Sequence, residues 1–158
     1  MYLGRVIRNQ YFMSKEELEY NQDFVDKCVE FTKELLPMIL KQLELDTTPN
    51  IQIDKLPERV FGFYQNSSIV ISVENIIKAK VKNRASLGFC IAEFLTHELT
   101  HYKQDLERRI PLFHQTYGEV SYLEYISNPL EIEANKSALK FSKKNEKEIY
   151  RLVDLLYK

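Results

Sequence analysis

Several features that would assign this chain to a specialised class are scarce in its sequence. The 158 residues include only four glycines, five prolines and two cysteines, and no tryptophan. So little glycine and proline argues against fibrous and low-complexity chains, and two cysteines are too few for the disulfide framework of a small secreted domain. No apolar run approaches transmembrane length, and the basic N-terminus lacks the apolar run of a signal peptide.

Neither basic nor acidic residues are in excess, because the chain has 22 basic and 23 acidic residues. Such a balance indicates neither a nucleic-acid partner nor a membrane partner. We therefore expect one domain over residues 1–158, located in the cytoplasm, with Cys28 and Cys90 as buried, reduced thiols. The sequence carries no signal of oligomeric state.

Histidine is also rare, with three in the chain, yet two of them form a His-Glu-x-x-His motif. Apolar residues at spacings of three and four predict one buried face of a helix from residue 87 to about 108, namely Ile91, Leu95, Leu99, Tyr102 and Leu106. On this helix His97 and His101 lie one above the other. Two imidazoles so placed can share one Zn²⁺, and Glu98 beside them can accept a proton from metal-bound water.

A catalytic zinc site takes three protein ligands, so the motif needs a partner elsewhere in the chain. A later helix is predicted to begin with Asn128 as its N-cap and Pro129 at its first position. Glu131 on this helix can supply a carboxylate oxygen to the metal. Two alternatives stay open: Glu131 could instead close a capping box with Asn128, and His114 could be the third ligand.

A residue that accepts the N–H of a ligating imidazole would fix the tautomer of that ring. Asn135 lies four residues after Glu131, on the same helical face, and is the first candidate for this role. Asp105, one turn after His101, is the rival. Glu133 points away from that face and is interpreted as a solvated charge.

These two segments together resemble the gluzincin metallopeptidases. The motif from His97 to His101, followed by the tract Glu131-Ile132-Glu133-Ala134-Asn135, is most similar to the small ImmA/IrrE-like group. The likeness covers roughly residues 60 to 142, and Thr100 stands where that group commonly has Gly. The SprT-like metalloproteins, whose third ligand is a later histidine, are the nearest competing family, and His114 would then take that place.

The resemblance implies a zinc-dependent peptidase with one Zn²⁺ per chain, held by His97, His101 and Glu131. Glu98 would be the general base in the hydrolysis of a peptide bond in a peptide or protein substrate. The alternative function is a metal-bearing domain that binds a protein partner and cleaves little or nothing.

The remaining patterns predict an α+β, minimal zincin-like domain. A capping box at Ser14 begins a long helix that runs to about residue 44 and is kinked or divided at Pro37. Strands are predicted at 51–53, 59–64 and 69–73, the last two as a hairpin, in a small and mostly antiparallel sheet. Gly62 indicates a bulge or a close backbone approach. An amphipathic stretch with Ile149 and Leu152 follows the later helix.

Two parts of the predicted peptidase site have several candidates each. A tetrahedral oxyanion needs a second hydrogen-bond donor besides zinc, and the candidates for this donor or for substrate contact are His114, Tyr117, Tyr122 and Tyr125. An extended peptide could add as a strand to a sheet edge between Arg59 and Val73.

Overall fold

The computed structural model describes residues 20–79, 83–110 and 127–157, and these residues form the predicted α+β arrangement around one hydrophobic core. In chain order the elements are α1 (Gln22–Leu43), β1 (Asn50–Ile53), β2 (Gly62–Gln65), β3 (Ser68–Ile71), α2 (Val73–Lys78), α3 (Arg84–Leu106), α4 (Pro129–Lys144), α5 (Glu146–Val153) and a final 3-10 turn (Asp154–Leu156). None of the helices in the described ranges is long and apolar enough to cross a membrane.

Helix α1 confirms the predicted long N-terminal helix but begins later than expected. Asn21 has an extended backbone, and its side chain accepts the N–H of Phe24 at 2.9 Å, so Asn21 is the N-cap of this helix. The predicted cap at Ser14 lies outside the described residues, and a continuous helix from there is wrong because Asn21 is not helical. The helix also passes Pro37 undivided. Pro37 is exposed, so water can bind the carbonyl that loses its N–H partner.

The sheet contains the predicted hairpin in a different overall arrangement. Strands β2 and β3 are antiparallel, and the turn between them is Asn66-Ser67, with φ of 48° and 61°. Strand β1 pairs in parallel with the other edge of β3, with Ile51 opposite Ile69, giving the order β1-β3-β2. The expectation of a mostly antiparallel sheet is therefore wrong, because one of the two pairings is parallel.

The connection from β1 to β2 is held by one buried side chain. Strand β3 ends at Ile71, and Ser72 then caps α2 by accepting the N–H of Asn75 at 3.2 Å, so Val73 is helical rather than part of the predicted strand. The Asn75 amide donates to the carbonyls of Leu56, Pro57 and Val60 at 3.2, 2.9 and 2.8 Å. These bonds fix the backbone that leads into β2.

Helix α3 lies at the centre of the molecule and contacts the sheet, α1, α4 and α5. Every residue from Ser86 to Thr100 is buried, so this part of the helix faces protein on all sides and not only on the predicted face. Leu106 was expected on the buried face but is 54% exposed, because α3 ends there beyond the elements that cover it. Cys28 and Cys90 are buried as predicted, and Ile149, Leu152, Val153 and Leu156 of the C-terminal stretch are also in the core.

At Gly88, α3 closely approaches both α1 and α5. A Cβ atom there would lie 2.7 Å from Cγ2 of Val153 and 3.1 Å from Cζ of Phe31. We expect Gly88→Ala to lower the free energy of unfolding by up to about 2 kcal/mol, since overpacking costs about 1–3 kcal/mol and alanine regains about 1 kcal/mol in a helix.

Urea unfolding followed by circular dichroism measures this change in stability. The exposed α4 substitution Lys136→Ala is the control, and we expect it to stay within about 0.5 kcal/mol of the parent. An increase in stability in Gly88→Ala would contradict the close packing of the three helices.

Candidate metal centre

Three side chains from two helices converge on one point. His97 and His101 of α3 bring their Nε2 atoms within 3.1 Å of each other. Glu131 of α4 lies across from both, with Oε1 3.0 Å from His97 Nε2 and Oε2 2.8 Å from His101 Nε2. These three residues could therefore hold one metal ion.

The spacing of the donor atoms fits a small tetrahedral cation. Zinc–nitrogen and zinc–oxygen bonds of about 2.0–2.1 Å place neighbouring ligand atoms of a tetrahedron about 3.3 Å apart. The observed separations of 2.8–3.1 Å are slightly shorter, so a small outward movement of the side chains would suffice. Two imidazole nitrogens and one carboxylate are also a donor set that zinc accepts.

The backbone of α4 explains how Glu131 reaches the two imidazoles. Asn128 caps this helix by accepting the N–H of Leu130 at 2.9 Å, and Pro129 occupies its first turn as predicted. Further along, Ala134 and Ala138 are fully buried against the rest of the molecule. Their small side chains let α4 approach α3 closely. Both Glu131 oxygens lie at the imidazoles, which favours the ligand interpretation of this residue over the capping box.

The charges at this point favour a cation. Burial acts to raise the pKa of Glu131, but its hydrogen bonds to His101 and His97 hold that pKa well below the ordinary value. Burial would lower the pKa of His101, yet the carboxylates of Glu131 and Glu98 outweigh it and raise that pKa to about 9. The site thus stabilises positive charge next to His101 Nε2, as a proton or as a metal ion.

Glu98 lies beside these ligands and is nearly enclosed, with 6% of its surface exposed. Burial raises its pKa, although His97 and His101 counteract the shift. A carboxylate with a raised pKa is a stronger base, which suits a residue that must accept a proton near neutral pH. Strand β2 passes directly over this side chain at Gly62, where a Cβ would lie 3.2 Å from both Cγ and Oε1 of Glu98. The predicted close approach at Gly62 is confirmed.

The partner of the His101 ring is a residue that the sequence interpretation missed. Gln104 places its Oε1 2.8 Å from His101 Nδ1. Asp105, one of the two predicted candidates, instead accepts a hydrogen bond from the hydroxyl of Tyr64. Asn135, the other candidate, has a buried Oδ1 with no hydrogen-bond partner in the described part of the chain. The sequence spacing could have identified Gln104, because this residue lies one turn after His101 on the same helix.

His114, Tyr117, Tyr122 and Tyr125 lie outside the described ranges. Glu133, interpreted as a solvated charge, has a side chain that is 39% exposed and forms an ion pair with Arg109.

Comparisons with protein-family models, with curated proteins and with solved structures find no match in any of the three. The resemblance to gluzincins therefore rests on the motif residues themselves. Thr100, which departs from the ImmA/IrrE-like pattern, is buried and donates its hydroxyl to the carbonyl of Thr96 at 2.8 Å.

The contact between Gly62 and Glu98 can be tested by a double-mutant cycle. We expect Gly62→Ala to lower the free energy of unfolding by about 1–3 kcal/mol, because the added methyl group meets Glu98 and the Cδ1 of Ile71 at 3.2 Å. In a Glu98→Ala background the same substitution should cost less, by at least about 0.5 kcal/mol, since one obstructing side chain is gone. Equal costs in both backgrounds, measured by urea unfolding, would contradict this contact.

Proposed function

We propose that this chain is a zinc-dependent peptidase that hydrolyses a peptide bond in a peptide or protein substrate in the cytoplasm. His97, His101 and Glu131 would hold one Zn²⁺, and Glu98 would be the general base. The observation that carries the proposal is the convergence of these three donor side chains beside a buried carboxylate with a raised pKa. A purely structural metal site would not need the Glu98 carboxylate beside its three ligands.

Zinc is the metal that this donor set favours. Magnesium and calcium prefer oxygen ligands, whereas two imidazoles and a carboxylate are a known ligand set of catalytic zinc. Three protein ligands leave a fourth position for water or substrate, which distinguishes catalytic zinc sites from closed structural ones.

When bound, zinc would lower the pKa of a coordinated water and polarise the scissile carbonyl. Glu98 would accept a proton from that water at a carboxylate oxygen and then deliver it to the nitrogen of the leaving amine. Its burial excludes competing water from this oxygen and keeps its pKa raised. The rigid packing of β2 against it at Gly62 holds the carboxylate in place.

The free edge of β2 is the proposed binding surface for the substrate backbone. The Ser72 N–H donates to the Phe61 carbonyl at 2.9 Å, and alternate residues of an antiparallel pair share hydrogen bonds with the partner strand. Gly62 and Tyr64 therefore direct their backbone N–H and C=O groups away from β3. Within the described ranges no strand pairs with this edge, so an extended peptide can add there. The position of this edge strand beside α3, the helix that carries His97 and His101, also supports the zincin-like interpretation of the fold.

Zinc content tests the ligand set. We expect the purified protein to contain about one equivalent of zinc per chain, as measured by mass spectrometry of the metal. Glu131→Gln should weaken zinc binding by more than the roughly 10–100-fold loss typical of an outer-shell change, because a neutral amide oxygen is a poor ligand.

Glu133→Gln is the matched control, since this neighbouring carboxylate on the same helix pairs with Arg109 and hydrogen-bonds Gln104 but contacts none of the three proposed ligands. It should leave zinc affinity unchanged. Loss of zinc in His114→Ala, with retention in Glu131→Gln, would assign the third ligand to His114 and favour the SprT-like family.

Substitution of the proposed base separates catalysis from metal binding. Glu98→Gln removes the proton acceptor but changes the side-chain volume little, so zinc content should stay at the parent level while peptide hydrolysis is lost. Removal of a general base typically lowers the rate by about 10²–10⁴-fold.

Hydrolysis of a fluorogenic peptide library, followed alongside zinc content, measures both effects in the same preparations. Activity at the parent level in Glu98→Gln would exclude the mechanism. A parent protein that binds zinc but cleaves no peptide would favour the alternative function, a metal-bearing domain that binds a protein partner.

A further inference from the structure

Gln104 is fully buried where α3 meets the first turn of α4. Its Nε2 donates to the backbone carbonyl of Leu130 at 3.0 Å, and its Oε1 lies 2.8 Å from Nδ1 of His101. The Leu130 carbonyl accepts hydrogen bonds and cannot donate them. The orientation of the Gln104 amide is therefore fixed, with NH₂ towards α4 and C=O towards His101.

This orientation determines which nitrogen of His101 carries the proton. A carbonyl oxygen only accepts hydrogen bonds, so Nδ1 of His101 must be the donor at 2.8 Å. When the ring is neutral, the lone pair is then on Nε2. That atom faces Glu131 Oε2 at 2.8 Å and His97 Nε2 at 3.1 Å, which is the proposed metal position.

The same amide is bonded to the chain segment that carries the third ligand. Leu130, whose carbonyl accepts from Gln104, is the residue directly before Glu131. One side chain therefore contacts a ligand on α3 and the backbone adjacent to a ligand on α4. Because this position is buried, no solvent can replace either bond when the amide is removed.

We infer that Gln104 is a positioning residue of the proposed metal centre, which fixes the Nδ1–H tautomer of His101 and holds the turn of Glu131 against it. The inference rests on the proposed metal-binding function. Outer-shell partners that orient a metal-bound histidine typically contribute about 10–100-fold to metal affinity. Gln104 fulfils the role that was predicted for Asn135 or Asp105.

Zinc affinity in Gln104→Met tests the inference, because methionine has a similar shape but neither accepts from His101 nor donates to Leu130. Competition with a chromogenic chelator should show zinc binding weakened by about 10–100-fold, with a stoichiometry of about one at saturation.

Gln42→Met is the matched control. Gln42 also donates its amide to a carbonyl of α4, that of Ser137 at 3.2 Å, but it does not contact a proposed ligand. It should retain the zinc affinity of the parent. A Gln42→Met variant that weakens binding as much as Gln104→Met would overturn the inference, because any loosening of α4 would then suffice.

Nuclear magnetic resonance of the ring nitrogens gives a readout that does not depend on activity. In the parent, with or without zinc, His101 should show a protonated Nδ1 whose hydrogen exchanges slowly, and in Gln104→Met this exchange should be faster. An unprotonated Nδ1 in the parent would overturn the inference even if Gln104→Met fails to fold. A parent that shows the protected Nδ1–H but takes up no zinc would instead contradict the proposed function alone.

Discussion

The approach of α4 to α3 is the constraint on which the rest of the structure depends. Glu131 can lie between His97 and His101 only if the two helices pack at close range, and the buried Ala134 and Ala138 provide the necessary small surface. This packing brings one carboxylate to two imidazoles that the helical repeat has already aligned. The sheet and the remaining helices then enclose α3 from Ser86 to Thr100, including the polar side chains of that part.

That enclosure would be unfavourable for an ordinary helix. Burying a charge is costly unless it is paired, and α3 buries Glu98 and His97 and leaves only 12% of the His101 side chain exposed. The charges offset one another, because the pKa of Glu131 is held low by the imidazoles and that of His101 is raised by the carboxylates. Because burial and specific charge partners shift the pKa values of these groups strongly, the cluster is a candidate functional site.

The sequence was sufficient for those features that depend on local periodicity. The spacing within His97–His101 and the cap at Asn128 predicted the two helices and the three converging side chains. Features set by tertiary packing were not predicted. Nothing in the alternation of β1 specifies whether it pairs in parallel, and the choice of Gln104 over Asn135 depends on how α4 lies against α3. The start of α1 was misplaced because the capping-box pattern at Ser14 does not mark where this helix begins, and Asn21 is its N-cap.

Strand β2 is attached to α3 at two points. Gly62 rests on Glu98, and Tyr64, two residues further and on the same face, donates its hydroxyl to Asp105. Each residue of β2 therefore has a fixed position relative to Glu98, the proposed base. A peptide paired with the outer edge of β2 would extend about 3.3 Å per residue along the strand, starting from the position next to Glu98. Which bond reaches Glu98 would then be decided by backbone register, so selectivity would come from side chains several positions away from the bond that breaks.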